Sequence, residues 1–256
     1  RRIGAGRSQS DKPPHFTGAY AEYFYLRPGH YVLRTPDHLN DRVVAPLNCA
    51  LAQVIYGLSQ VDLSAGECVV IQGAGGLGLY ATAVAREAGA TNIVVLDKRQ
   101  DRLALAKEFG ADHVLNVDDF ESPEQRVEVV AELTGGGGHV VAELVGHPSV
   151  LTEGLQMARN EGRYLVIGNI SHKHTIPFNP SWLVHQNRRM VGVGGYQAWS
   201  LRRGLELLQR NGDRYPFEKV LSQLYPIAEI NSAFAEADKS TAIRTGMVCD
   251  PKLAQI

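Results

Sequence analysis

The feature that most limits how this chain can fold is a glycine run caught between two different periodicities. Cys68 to Gln72 reads as a short, Val/Ile-rich strand, and Leu77 to Ala88 carries its apolar residues at helical intervals. Between them lies Gly73-Ala74-Gly75-Gly76-Leu77-Gly78. Strand, tight glycine turn and helix in that order open a βαβ unit. The alternation then continues. Further strands are predicted at Ile93 to Asp97, His113 to Asn116, Val140 to Leu144, Arg163 to Ile167 and Met190 to Val193. Helices are predicted between them at Arg99 to Phe109, Pro123 to Leu133, Val150 to Met157 and, briefly, near Pro180 to His185. The order predicts an α/β fold: a doubly wound parallel sheet whose switch point follows its first strand.

The glycine loop sits where a dinucleotide-binding Rossmann sheet needs one. Gly73 permits the turn, Gly75 lets the backbone approach a pyrophosphate, and Gly78 lets the helix pack on the strand. The unpaired N–H groups and dipole at the helix start then face the anion. The second strand ends at Asp97, 19 residues past Gly78, where a carboxylate would accept from the adenosine ribose hydroxyls. An acid there repels a 2′-phosphate and favours NAD over NADP, although Lys98, Arg99 and Arg102 offer cations nearby. Asp97 read as nothing more than a cap for the following helix is the competing interpretation.

Outside this region the pattern changes. Gly18 to Pro36 carries Tyr20, Tyr23, Tyr25, Tyr31, Val32 and Leu33 and predicts two strands, with the tyrosines packing. Asp41 to Leu58 predicts one mostly buried helix. Past Gly195, helices are predicted at Leu201 to Arg210 and Ile227 to Ala237, and strands at Lys219 to Leu221 and Thr245 to Cys249. The 26 basic and 27 acidic residues create no field that would draw nucleic acid or anionic lipid, so small molecules or copies of the chain are the expected partners. Three distant cysteines argue against a disulfide framework, and no apolar run approaches a membrane span. A soluble, cytoplasmic protein is expected. The chain opens on Arg1 in a polar stretch, and sequence upstream of it is expected.

These residues resemble the zinc-containing alcohol dehydrogenases of the medium-chain dehydrogenase/reductase family. The resemblance rests on Phe16 to Tyr23, Asn48-Cys49-Ala50-Leu51-Ala52, Gly73 to Gly78 and Val95 to Arg99. It continues in Leu133 to Gly136, Ile167-Gly168-Asn169-Ile170 and Ala242 to Thr245. It implies that Gly76 and Leu77 offer amides to the pyrophosphate, that Asp97 and Arg102 hold the ribose, and that Arg244 faces the pyrophosphate. Val145 and Gly168, with Gly146, Ile167 and Asn169, would border the nicotinamide. It also implies remnants of a second, mostly β, GroES-like catalytic domain at residues 1–50 and 195–256 around an NAD-binding domain at 51–194.

Cys49 matches the third catalytic-zinc ligand of that family, with a buried core cysteine as the alternative. The family's first two zinc ligands, a Cys and a His followed by Glu, have no match here, and neither does its four-cysteine structural lobe. Its proton-relay serine or threonine lies in the same unmatched part. The implied activity is NAD-dependent hydride transfer between an alcohol and a carbonyl compound, with zinc in the intact protein, by a homodimer or homotetramer. A zinc-free quinone-reductase-like enzyme and a non-catalytic NAD-binding module are the alternatives. Gly135 to Gly138 read as a turn, His172 and His174 as a solvated loop, and Cys68 and Cys249 as unreactive.

Overall fold

The computed structural model describes residues 11, 13, 15, 16, 18–168, 174–239 and 241–250. Two compact units emerge from the contacts: Asp37–Val220, and Arg1–Pro36 together with Leu221–Ile256. Their borders lie further out on both sides than 50/51 and 194/195. The reason is packing within the larger unit, where the helices before and after the sheet lie against each other.

In the larger unit the predicted helix over Asp41 to Leu58 is broken. It forms α1 (Asp41–Val44), a 3-10 turn (Ala45–Asn48) and α2 (Ala50–Gln60), bent by 48°. The bend falls at Cys49, between Asp41–Asn48 and Ala50–Gln60, and Pro46, which has no N–H to give an α-helical ladder, lies in the 3-10 turn before it. Asn40 caps α1 by accepting from Arg42 N–H at 2.8 Å. Ala50, Leu51, Val54 and Leu58 are the buried stripe of α2.

The sheet follows: β1 (Cys68–Gln72), α3 (Gly76–Glu87), β2 (Asn92–Asp97), α4 (Gln100–Glu108), β3 (His113–Asn116), α5 (Pro123–Thr134) and β4 (Gly138–Glu143). Then come α6 (Val150–Met157), β5 (Ala158–Val166), α7 (Ser181–Val184), β6 (Arg189–Gly192) and α8 (Ala198–Asn211). The spatial order is β3-β2-β1-β4-β5-β6, all parallel. This is the Rossmann order read from the alternation.

Alternate strand residues bury on both faces. Val70, Val94 and Val141 pack with Val130, Leu155, Met157 and Tyr164 into one apolar cluster beneath α5 and α6. Val69, Ile71, Ile93 and Val95 face the other way and are fully buried. That two-sided burial is why these strands read as continuous apolar runs. Helix ends follow local chemistry: Ser122 caps α5 with Pro123 at its first position, and Gly135 ends it in the left-handed region. Of the run Gly135 to Gly138 predicted as a turn, Gly135 to Gly137 form it, and Gly138 already opens β4.

The smaller unit departs more. Residues 18–36 form no strand, and Tyr20, Tyr23, Tyr25 and Tyr31 are exposed where packing was expected. An alternating segment becomes a strand only when a neighbour completes its ladder, and no such neighbour exists among the described residues. The strand predicted at Lys219 to Leu221 is also displaced. Phe217–Lys219 is a 3-10 turn in the larger unit, and β7 spans Gln223–Pro226. A second 3-10 turn, Ile227–Glu229, leads into α9 (Ile230–Asp238), and β7 pairs in parallel with β8 (Thr245–Val248).

No single helix among the described residues is long and apolar enough to cross a membrane.

Candidate functional site

Gly73 to Gly78, Asp97, Val145 and Gly168 converge at the carboxyl edge of the sheet. Gly73 leaves β1 at φ +97°, its N–H donating to Leu96 O at 2.7 Å. A Cβ on Gly73 would lie 3.2 Å from the Leu144 backbone and 3.1 Å from Val145 Cγ2. The constraint on Gly78 is harsher, since a Cβ there would lie 1.8 Å from Gly73 O. Any side chain would push α3 off the loop.

Gly75 is the N-cap of α3, and no side chain caps this helix start. The helix opens at Gly76, one residue before the predicted Leu77. Beside Gly75 the space is open except for Arg102 Nη1, 3.9 Å from where a Cβ would stand. Uncapped amides, open space beside Gly75 and an adjacent guanidinium together suit an anion.

Asp97 at the end of β2 is tied to this loop. Its Oδ2 accepts from Ala74 N–H at 2.6 Å and its Oδ1 from Arg99 N–H at 2.9 Å. The residue capping α4 is Arg99, so Asp97 does more than cap a helix. A carboxylate has about four acceptor positions, and two backbone bonds leave capacity for sugar hydroxyls.

The other wall comes from β4 and β5. A Cβ on Gly168 would lie 2.6 Å from Gly146 N, so the turns after both strands touch. Val145 is half exposed beside Gly73. Sequence reasoning missed Glu143, which is fully buried and accepts through Oε1 from Val145 N–H at 2.9 Å and Gly146 N–H at 2.6 Å. A charge closing the apolar run Val140 to Leu144 was the available signal. Gln72 was missed as well: its Oε1 accepts from Tyr164 OH at 2.8 Å, and its Nε2 donates to Val150 O at 3.1 Å. Burial holds the Tyr164 phenol far above its ordinary pKa, with the nearby Glu143 charge adding to it. It acts as a neutral donor.

Cys49 precedes α2 and is exposed, which removes the buried-core interpretation. Tyr196 OH donates to the carbonyl of Asn48, and Gln53 Nε2 lies 3.4 Å from Val193 O. The thiol thus belongs to a segment fastened to the chain leaving β6. Zinc does not fit these residues alone, because no three His, Cys, Asp or Glu gather among the described residues. Arg244 belongs to the smaller unit, where its Nε is buried without a hydrogen-bond partner.

Asn169 and His172 lie outside the described residues, while His174 stands with its ring 5.3 Å from that of His147. Cys68 is partly buried, and burial pushes its thiol pKa up. Cys249, predicted to end a strand, lies beyond β8 and is exposed.

Comparison with known proteins decides the family. Residues 76–210 match the family described as zinc-binding dehydrogenase. The chain belongs to that family. Among the relatives of this zinc-binding dehydrogenase are 5-exo-hydroxycamphor dehydrogenase of Pseudomonas putida, 32% identical over 84% of this chain and 60% of that protein. L-threonine 3-dehydrogenase of Bacillus subtilis is 30% identical over 85% of this chain and 60% of that protein. A crystal structure of an alcohol dehydrogenase from Thermotoga maritima superposes with a TM-score of 0.85 at 30% identity, covering 92% of this chain and 65% of that one. This member therefore spans about 60% of the length of those curated relatives.

Proposed function

We infer that this chain is the dinucleotide-binding part of an NAD(H)-dependent, alcohol dehydrogenase-type oxidoreductase acting on a small alcohol or carbonyl substrate. The observation that carries the reading is the uncapped start of α3 beneath a glycine-rich loop, with Asp97 tied to the same loop by Ala74 N–H.

The amides of Gly76, Leu77 and Gly78 hold the diphosphate, and Arg102 adds a cation beside Gly75. Asp97 accepts from the adenosine ribose and disfavours a 2′-phosphate. Val145 and Gly168 border the nicotinamide, and Glu143 fixes the turn that carries Val145. Bound nicotinamide supplies a carbon that accepts or returns hydride. The chain's own contribution is orientation, which converts an encounter between two molecules into reaction within one complex.

Cys49 is the one zinc ligand we assign to this chain, its partners belonging to the GroES-like part of the intact protein. That no three His, Cys, Asp or Glu gather among the described residues favours a second reading, in which the chain by itself binds NAD(H) without turning over. We also propose a homodimer or homotetramer built across β6, the last strand of the sheet, where Met190 is partly exposed.

Calorimetric titration with NADH, NAD and NADPH tests the core claim, NADH and NAD binding and NADPH binding more weakly. No heat of uptake by folded protein overturns it. An alcohol and aldehyde panel then separates a working enzyme from a binding module, and light scattering that shows only monomer at high concentration removes the dimer.

A further inference from the structure

The amino edge of the sheet, opposite the glycine loop, carries a bulge with an unusual count. β4 and β5 pair as Gly138 with Ala158 and next as Val140 with Arg163. The single residue His139 thus faces Arg159, Asn160, Glu161 and Gly162. Glu161 is held at φ +60°, its N–H donating to Gln186 O at 2.8 Å. A Cβ on Gly162 would lie 2.7 Å from Arg159 O. A left-handed glutamate costs on the order of 1 kcal/mol, and bulges of this kind re-aim side chains.

The bulge forms one side of a cavity of about 470 Å³ lined by Glu67, His139, Arg159, Asn160, Glu161 and Arg163. Two of these are already committed to each other. Arg163 Nη2 pairs with Glu67 Oε1 at 2.5 Å, and Ser64 N–H occupies Glu67 Oε2 at 3.0 Å. Arg159 has no carboxylate partner among the described residues, and its Nη1 lies 2.7 Å from His139 Nε2.

The histidine cannot accept that contact. Its Nδ1 already accepts Cys68 N–H at 3.1 Å, so a neutral ring carries its proton on Nε2. Burial first, then the Arg159 charge, lower the pKa of the ring and keep it neutral. Nε2–H and the guanidinium are then two donors side by side. An acceptor that faces both removes the conflict, and an oxyanion does so with charge-assisted bonds.

We propose that this cavity binds a small oxyanion of the phosphate or phosphomonoester class, gripped by Arg159 and the Nε2–H of His139. Its volume exceeds what a bare phosphate fills and falls in the usual range for small-molecule sites. The exposed carboxylate of Glu161 on the rim repels a second anionic group and accepts from ligand hydroxyls. The site lies across the sheet from the dinucleotide and does not depend on that reading.

The test is titration of the chain with inorganic phosphate against chloride at matched ionic strength, following heat and the ring-nitrogen resonances of histidine. The His139 Nε2 signal moves with phosphate in the wild type and equally in R102Q, which alters the glycine-loop edge. R159Q needs at least about tenfold more phosphate. Exposed Glu161 gives a second variant that leaves the fold intact, and E161Q binds phosphate more tightly than wild type. An unmoved His139 signal, with heat lost only in R102Q, assigns phosphate to the glycine loop and overturns the proposal. So do R159Q and E161Q titrating as wild type.

Discussion

The two edges of this one parallel sheet are finished by opposite chemistry. At the carboxyl edge the decisive elements are backbone amides and missing side chains: Gly73 at φ +97°, Gly78 against Gly73 O, and an α3 start without a cap. At the amino edge they are long charged side chains, with Arg163 on Glu67 and Arg159 on His139. At Gly73 and Gly78 the first edge has no room for added atoms, while the second holds a cation, Arg159, with no carboxylate partner among the described residues. An anion can be met in either way, by oriented N–H dipoles or by formal charge.

Four changes sharpen or break that contrast. The largest effect is expected from G78V, which drives a branched side chain into the Gly73 carbonyl and should cost about 4 kcal/mol in urea unfolding. A variant as stable as wild type would mean that the loop is not close-packed. Next is R163Q at the other edge, which leaves Glu67 mostly buried without its cation. Loss of about 3 kcal/mol is expected, and the double variant R163Q/E67Q should recover part of it. If the double variant is no more stable than R163Q, charge pairing is not what finishes that edge.

D97N comes third. It keeps the shape of Asp97 and removes the charge, so NADH affinity should fall about tenfold while NADPH affinity falls less. Equal losses for both would take the ribose role away.

The smallest effect is a pH dependence. His139 has its pKa lowered from 6.5 by burial and by Arg159, so the unfolded chain takes a proton that the folded chain refuses until the pH is lower. Its contribution is fully present above about pH 6.5 and is lost as the pH falls from there through the folded value. Thermal midpoints of wild type should therefore drop more between pH 7 and 5 than those of H139Q. Parallel curves would show that the ring titrates as if free.

Much of the fold was legible because burial on both faces writes itself into strands as Val69-Val70-Ile71 and Ile93-Val94-Val95, and because Gly73 to Gly78 has few structural uses between a strand and a helix. The break between Asn48 and Ala50 was missed, because the apolar spacing runs on across it. The tyrosines of residues 20–31 misled differently, since alternation states what a segment needs and not whether a partner is present. Glu143, Gln72 and the Arg159 bulge carried weaker signals. A lone charge or a Glu-Gly pair acquires meaning only when the strand opposite is known.

By itself, then, the sequence determined the parallel sheet, its switch point and the glycine loop, because periodicity and steric necessity act between near neighbours along the chain. Only the tertiary structure decided that Ala74 and Arg99 share the carboxylate of Asp97, that Glu143 anchors the turn beside Gly168, and that one histidine faces four bulged residues. Those arrangements are set by register between strands, and register is a property of the folded sheet.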